Sequence, residues 1–164
     1  MLIHPQIRPA KPEDVPDIYA MVRELAEFEK LADKVDSTEE SLAEALFGES
    51  PRVFAVMVEA SGDRPIGFAI WFYTFSSFRG RHGVWIEDIY IRPEWRGKGC
   101  GKAIMAELAK HCLSENLGRL EWSVLDWNQK AIDFYRKQGA AVLDDWRICR
   151  IDGTALWRLA DKTL

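Results

Sequence analysis

The sequence predicts an α/β fold on one mixed sheet, and two observations carry that prediction. Short runs of β-branched and aromatic residues alternate with stretches whose apolar residues recur at helical spacing. The resulting order, β-α-α-β-β-β-α-β-α-β-β, fills the chain without a repeat, linker or low-complexity segment. A length of 164 residues suits one domain, residues 1–164.

Gln6-Ile7-Arg8-Pro9-Ala10 reads as the first strand. Between Glu13 and Glu29, Val15, Ile18, Val22, Leu25, Ala26 and Phe28 mark one face of a helix. Ser37-Thr38-Glu39-Glu40 is a capping-box start for a second helix through Leu46. Val53 to Val58 is a strand, Gly62-Asp63-Arg64-Pro65 a turn, and Ile66 to Phe75 a long strand. Arg79-Gly80-Arg81-His82-Gly83 turns the chain into a strand from Val84 to Ile91. A helix from Gly99 to about Glu115 repeats Ile104, Leu108 and Cys112 along one face, and Arg119 to Val124 is a strand. A last helix runs from Asn128 or Gln129 to Gln138, with Gly139 as its C-terminal cap. Asp152-Gly153, between Arg147–Ile151 and Ala155–Leu159, predicts a terminal hairpin, because a type I′ turn needs positive φ.

Composition excludes several classes. With 48% apolar and 29% charged residues, the chain reads as an ordinary globular protein. A net charge of −4 leaves no electrostatic footprint for nucleic acid. No apolar run nears the ~20 residues that span a bilayer, and Met1-Leu2-Ile3-His4-Pro5 has no signal-peptide pattern. Cys100, Cys112 and Cys149 make neither a disulfide framework nor a zinc pattern, so the reducing cytoplasm is expected. His4, His82 and His111 are too scattered for a metal site, and none is predicted. Tryptophans 71, 85, 95, 122, 127, 146 and 157 suit core packing, and an aromatic-rich edge could feed a dimer interface.

The chemistry concentrates in Glu87-Asp88-Ile89-Tyr90-Ile91-Arg92-Pro93-Glu94-Trp95-Arg96-Gly97-Lys98-Gly99-Cys100-Gly101-Lys102. A strand leads through a turn into a glycine-rich helix start, where unpaired N–H groups and partial positive charge can hold a phosphate. Gly97, Gly99 and Gly101 clear the backbone, and Arg96 adds a positive charge. Ala103 after Lys102 denies a P-loop its Mg²⁺-binding hydroxyl, and Lys102 and Ile104 stand where a dinucleotide fingerprint needs its last glycine. What fits is Arg-x-x-Gly-x-Gly at Arg96, Gly99 and Gly101.

This run resembles the acetyl-CoA signature of the GNAT superfamily of N-acetyltransferases. Asn128-Gln129-Lys130-Ala131-Ile132-Asp133-Phe134-Tyr135-Arg136-Lys137-Gln138-Gly139 resembles that superfamily's second hallmark, Asn-x-x-Ala-x-x-Phe-Tyr-x-x-x-Gly. The resemblance implies a mostly antiparallel sheet flanked by helices and direct acetyl transfer from acetyl-CoA to an amine. The loop Arg96, Gly97, Lys98, Gly99, Cys100, Gly101, Lys102 would hold the cofactor, with Asn128 in contact with it. The pantetheine arm would pair with the backbone of Ile89, Tyr90 and Ile91, as an added strand does. Tyr135 would be the general acid for the departing thiolate, since a phenol and a thiol have comparable basicity. Glu87 would be the base; Asp88 is its neighbour and, by strand alternation, points to the opposite face. Cys100, with no His or Asn partner apparent, reads as a small packing residue.

Within the superfamily the chain resembles the diamine acetyltransferases, through Ile7-Arg8-Pro9-Ala10, Glu24 to Glu29, Gly67-Phe68-Ala69, Glu87 to Tyr90 and Val124 to Asn128. Amine contacts would then come from Phe28, Glu29, Glu87 and Asp88, and the protein would be a homodimer. Polyamine enzymes carry Asp and Trp where this chain has Ser76 and Phe78. It is therefore more similar to the thialysine-acetylating branch, and a small amine or amino acid is the expected substrate. A protein lysine or N-terminal acetyltransferase and a silent acyl-CoA sensor are the alternatives; the presence of Glu87 and Tyr135 argues against the sensor.

Overall fold

The computed structural model describes residues 5–60 and 64–161, in two compact units, Met1–Ser123 and Val124–Leu164. The first unit contains the sheet. Strands β1 (Gln6–Pro9), β2 (Phe54–Glu59), β3 (Gly67–Ser76), β4 (Arg81–Ile91) and β5 (Leu120–Trp122) lie in the order β1-β2-β3-β4-β5. Neighbours are antiparallel except β4 and β5, which are parallel. That pairing follows from the helical crossover α3 (Cys100–Ser114), because a parallel neighbour cannot be reached by a tight turn.

Helices α1 (Val15–Phe28) and α2 (Glu39–Phe47) cover one sheet face. Ile18, Met21 and Leu46 pack there with Met57, Phe68, Ile70 and Tyr90. Trp71 follows Ile70 and so points to the other face, where it meets His111 of α3 at 4.7 Å between rings. Ile104, Leu108 and Cys112, four residues apart, are the buried stripe of α3, as their spacing predicts. The start of α1 is fixed by charge. Arg8 reaches Asp14 through Nη1 and Nη2 at 2.6 and 2.8 Å and also bonds Glu59. Asp14 is buried, and the Arg8 hydrogen bonds hold its carboxyl below the usual aspartate range.

Local signals place most elements and miss some boundaries. The cap of α2 is Thr38 rather than Ser37: its Oγ1 accepts from Ser41 N, and Ser41 Oγ accepts from Thr38 N, so Ser41 closes the box instead of Glu40. The turn before β4 comes earlier than predicted. Ser76 pairs with Arg81, leaving residues 77–80 as the loop with Gly80 at φ 59°, and Arg81, His82 and Gly83 join the strand. Gly62 and Asp63 of the predicted turn lie outside the described residues, as does His4.

The second unit carries α4 (Gln129–Lys137) and α5 (Gly153–Ala160). Asn128 caps α4, its Oδ1 accepting from Ala131 N at 3.3 Å. Gly139, at φ 92°, ends it as predicted: its N–H donates to Arg136 O, and that of Ala140 to Tyr135 O. The terminal hairpin is not formed. Gly153 takes the positive φ the turn required, 52°, but Asp152 is then the N-cap of α5 and its carbonyl accepts from Leu156 N. Ala155 and Leu156 favour a helix, and 147–151 has no partner strand among the described residues.

Candidate active site

The glycine loop and helix α3 build the first part of the site. Pro93–Trp95 forms one 3₁₀ turn and carries the chain from β4 to Arg96. Gly97 and Gly99 then take φ 73° and 92°, which side chains disfavour, and a Cβ at either would meet nothing within 4 Å. The glycines are therefore needed for backbone shape, and the space before them is open. Gly99 is the N-cap of α3 and its carbonyl accepts from Ala103 N. The N–H groups of Cys100, Gly101 and Lys102 precede that first helical bond, so they remain for an anion. Lys98 and Lys102 are exposed beside them. These residues fit a nucleotide diphosphate. Cys100 is buried, and burial pushes its thiol pKa up, which suits packing and not nucleophilic attack.

Strand β4 supplies an open main-chain edge. It pairs with β5 only at Val84, Trp85 and Ile86, so Glu87 to Ile91 have no partner strand on that side among the described residues. Arg92 N donates to Ile66 O. Alternation along the ladder therefore turns the backbone groups of Tyr90 and Asp88 toward β3, and those of Ile89 and Ile91 toward the open edge. Of the three residues expected to pair with the pantetheine arm, Ile89 presents both its main-chain groups at the open edge and Ile91 its N–H, the Ile91 carbonyl accepting from Arg96 Nε. Tyr90 instead contributes a buried ring whose hydroxyl donates to Glu24 at 3.0 Å.

The two adjacent carboxylates correct the alternation rule. Trp71 pairs with Ile86 and Ile70 with Asp88, so Glu87 is the extra residue of a β-bulge. Phe72 and Ile70 share a face, their partners Trp85 and Asp88 share it with them, and Glu87 lies two residues from Trp85. Glu87 and Asp88 thus share one face instead of opposing ones. Glu87 is exposed and accepts from Trp85 Nε1 at 3.2 Å. Asp88 is half-buried, and its pKa is pushed up to about 6 by burial first, then by the charges of Glu87 and Glu29. Glu29, the cap residue after Phe28 of α1, is raised too by burial. Carboxylates that act on one another's charge favour the approach of a cation and hold a proton more readily than separate ones.

Ser76 is not brought to this cluster. It sits at the β3–β4 hairpin end opposite Arg81, and seven residues of β4 at a rise of ~3.3 Å put Asp88 about 20 Å away. In the second unit, Tyr135 is buried and Phe134 half-buried, their rings 5.2 Å apart. Sequence reasoning gave no role to Glu24 or Arg92. Arg92 Nε lies 3.4 Å from Glu24, which also receives the Tyr90 hydroxyl. The available signal was the four-residue spacing of Glu24 and Phe28, which share a helix face.

Comparison with known proteins accords with this architecture. Residues 18–140 match the Acetyltransferase (GNAT) family. The chain is 37% identical to the thialysine N-epsilon-acetyltransferase of Bos taurus, covering 95% of this chain and 97% of that protein. It is 34% identical to an L-ornithine N5-acetyltransferase of Arabidopsis thaliana, covering 92% and 86%. Among solved structures, an integron cassette protein from the mobile metagenome of V. cholerae superposes with a TM-score of 0.80 at 26% identity, over 96% of this chain and 98% of that one. The chain belongs to the acetyltransferase (GNAT) family, which uses acetyl-CoA, and it is an N-acetyltransferase. No described helix is long and apolar enough to cross a membrane.

Proposed function

We propose that this enzyme acetylates the side-chain amine of a small lysine-like amino acid, with thialysine the preferred acceptor. The observation that carries this reading is the trio Glu29, Glu87 and Asp88 around one sheet face, beside the free edge of β4. An ammonium group is drawn to such a cluster, and a carboxylate with a raised pKa is a better proton acceptor than an ordinary one. Likeness to thialysine and ornithine acetyltransferases along most of the chain supports an amino acid of that size.

When bound, acetyl-CoA supplies the thioester that an amine attacks. The loop N–H groups at Cys100, Gly101 and Lys102 hold its phosphates. The edge groups of Ile89 and the N–H of Ile91 align its arm, and an N–H of that edge donates to the carbonyl oxygen as charge develops. Asp88 and Glu87 take the proton from the ammonium, Glu87 passing it to solvent. Tyr135 donates its proton to the departing sulfur, and the second proton that nitrogen loses on becoming an amide restores the phenol; this role rests on the Asn128–Gly139 motif. The working unit is a cytoplasmic homodimer of one acetyltransferase domain, residues 1–164; the exposed Trp146, Ile148 and Trp157 support the dimer.

A kcat/KM series at fixed ionic strength, followed by thiol release, tests the acceptor. Thialysine is expected to exceed L-ornithine, spermidine and spermine. Spermine ahead of thialysine overturns the acceptor, and no thiol release with any amine overturns the activity.

A further inference from the structure

Arg96 heads the glycine motif, yet its side chain turns back from the loop. Its Nε donates to the carbonyl of Ile91 at 2.8 Å. Its guanidinium carbon lies 5.0 Å from the centre of the Phe28 ring and 5.4 Å from that of Tyr90. Three elements meet at this one group. Ile91 is the last residue of β4, and its carbonyl is one of the edge groups turned away from β3. Tyr90 is in the core. Phe28 is the last residue of α1, directly before Glu29 of the carboxylate trio. One turn back, Glu24 binds both the Tyr90 hydroxyl and Arg92. On the other side, Arg96 leads at once into Gly97 and Gly99, which have no side chains to anchor the loop. Direct contacts therefore run from the cofactor loop, through one planar cation, to the amine-facing end of α1.

We propose that Arg96 is a positioning residue: it ties the cofactor loop to the Phe28–Glu29 end of α1 and thereby sets where the amine is held, while the phosphates are held by the loop's main-chain N–H groups. This rests on the acetyltransferase reading above and deepens it. A phosphate ligand needs only charge, which lysine also supplies. Lying on two rings while donating to a carbonyl needs the planar fork, which lysine lacks.

The experiment measures CoA affinity by calorimetry and the thialysine KM at saturating acetyl-CoA, on the full chain. Arg96→Lys is expected to change CoA affinity by less than about threefold but raise the thialysine KM by about fivefold or more. Phe28→Leu, which removes one ring and leaves the loop backbone untouched, is expected to raise that KM similarly, whereas Phe28→Tyr retains the parent value. The double variant is expected to be no worse than either single one, because both break the same linkage. A parent-like KM in Arg96→Lys overturns the proposal. So does a large loss of CoA affinity with KM unchanged, which marks a phosphate ligand, and so do effects that multiply in the double variant. If Arg96→Lys does not fold, the Phe28 pair decides, and equal KM values for Phe28→Leu and Phe28→Tyr overturn the linkage. A parent that releases no thiol with any amine fails the acetyltransferase reading instead, a result distinct from an active parent matched by Arg96→Lys.

Discussion

Residues before and after Ser123 solve different problems with similar material. In the first unit, large apolar side chains from α1, α2, α3 and strands β2, β3 and β4 close on each other, and Ile18, Met21, Met57 and Phe68 are fully buried. In the second unit, Ile132 and Tyr135 are the buried hydrophobic residues, while Trp146, Ile148 and Trp157 are more than 70% exposed. Both units are rich in aromatic and branched residues. The difference is that a sheet offers two broad faces to cover, whereas two short helices with intervening loop offer none. The first unit accordingly holds the scaffold, the glycine loop proposed for the cofactor and the carboxylates. The second contributes one motif, and in it the hydroxyl that the proposed mechanism needs.

The sharpest way to break this contrast is Tyr135→Phe, which keeps the ring and removes the donor. If the second unit serves chemistry, turnover falls by about 10²–10⁴-fold with acetyl-CoA affinity little changed. Parent-like turnover, with chemistry shown to limit the rate, removes Tyr135 from the mechanism and leaves catalysis to the first unit.

Stability provides the next contrast. Phe68→Ala empties a fully buried position and is expected to cost about 3–5 kcal/mol. Trp157→Ala, at an exposed position of α5, is expected to change the unfolding free energy by only about 0.5 kcal/mol. Denaturant titrations of dilute protein measure both. A loss of several kcal/mol at Trp157 in protein dilute enough to be monomeric would mean that this apolar face is already buried within one protomer.

A smaller effect separates the carboxylates. Asp88 has a folded pKa near 6, above its usual value, so the folded state binds more protons between about pH 4 and 6. Its contribution to stability is fully present below the usual aspartate pKa and lost as pH rises through 6. Asp88→Asn should therefore match the parent near pH 4 and exceed it near pH 7 by about 1–3 kcal/mol, read from denaturation midpoints. In activity, the variant should lose the ascending limb of kcat/KM near pH 6, and Glu87→Gln should keep it. The opposite pattern would make Glu87 the principal acceptor.

The sequence by itself determined whatever rests on neighbours along the chain. Gly97 and Gly99 mark a loop at a helix start, because only glycine takes their φ angles freely. The 104, 108, 112 stripe, the Gly139 cap and the Asn128 cap are likewise properties of a single helix. The tertiary structure decided what depends on a distant partner. Glu87 and Asp88 share a face because β3 has one residue fewer at the bulge, a count that β4 alone does not contain. Asp152-Gly153 suits a hairpin and a helix start equally, so the choice fell to whether a second strand was there to pair. Arg96 is a motif residue in sequence, but one of its two ring partners, Phe28, lies 68 residues away. Local backbone preferences act within a turn of the chain, whereas register, burial and ring contacts exist only after distant segments meet.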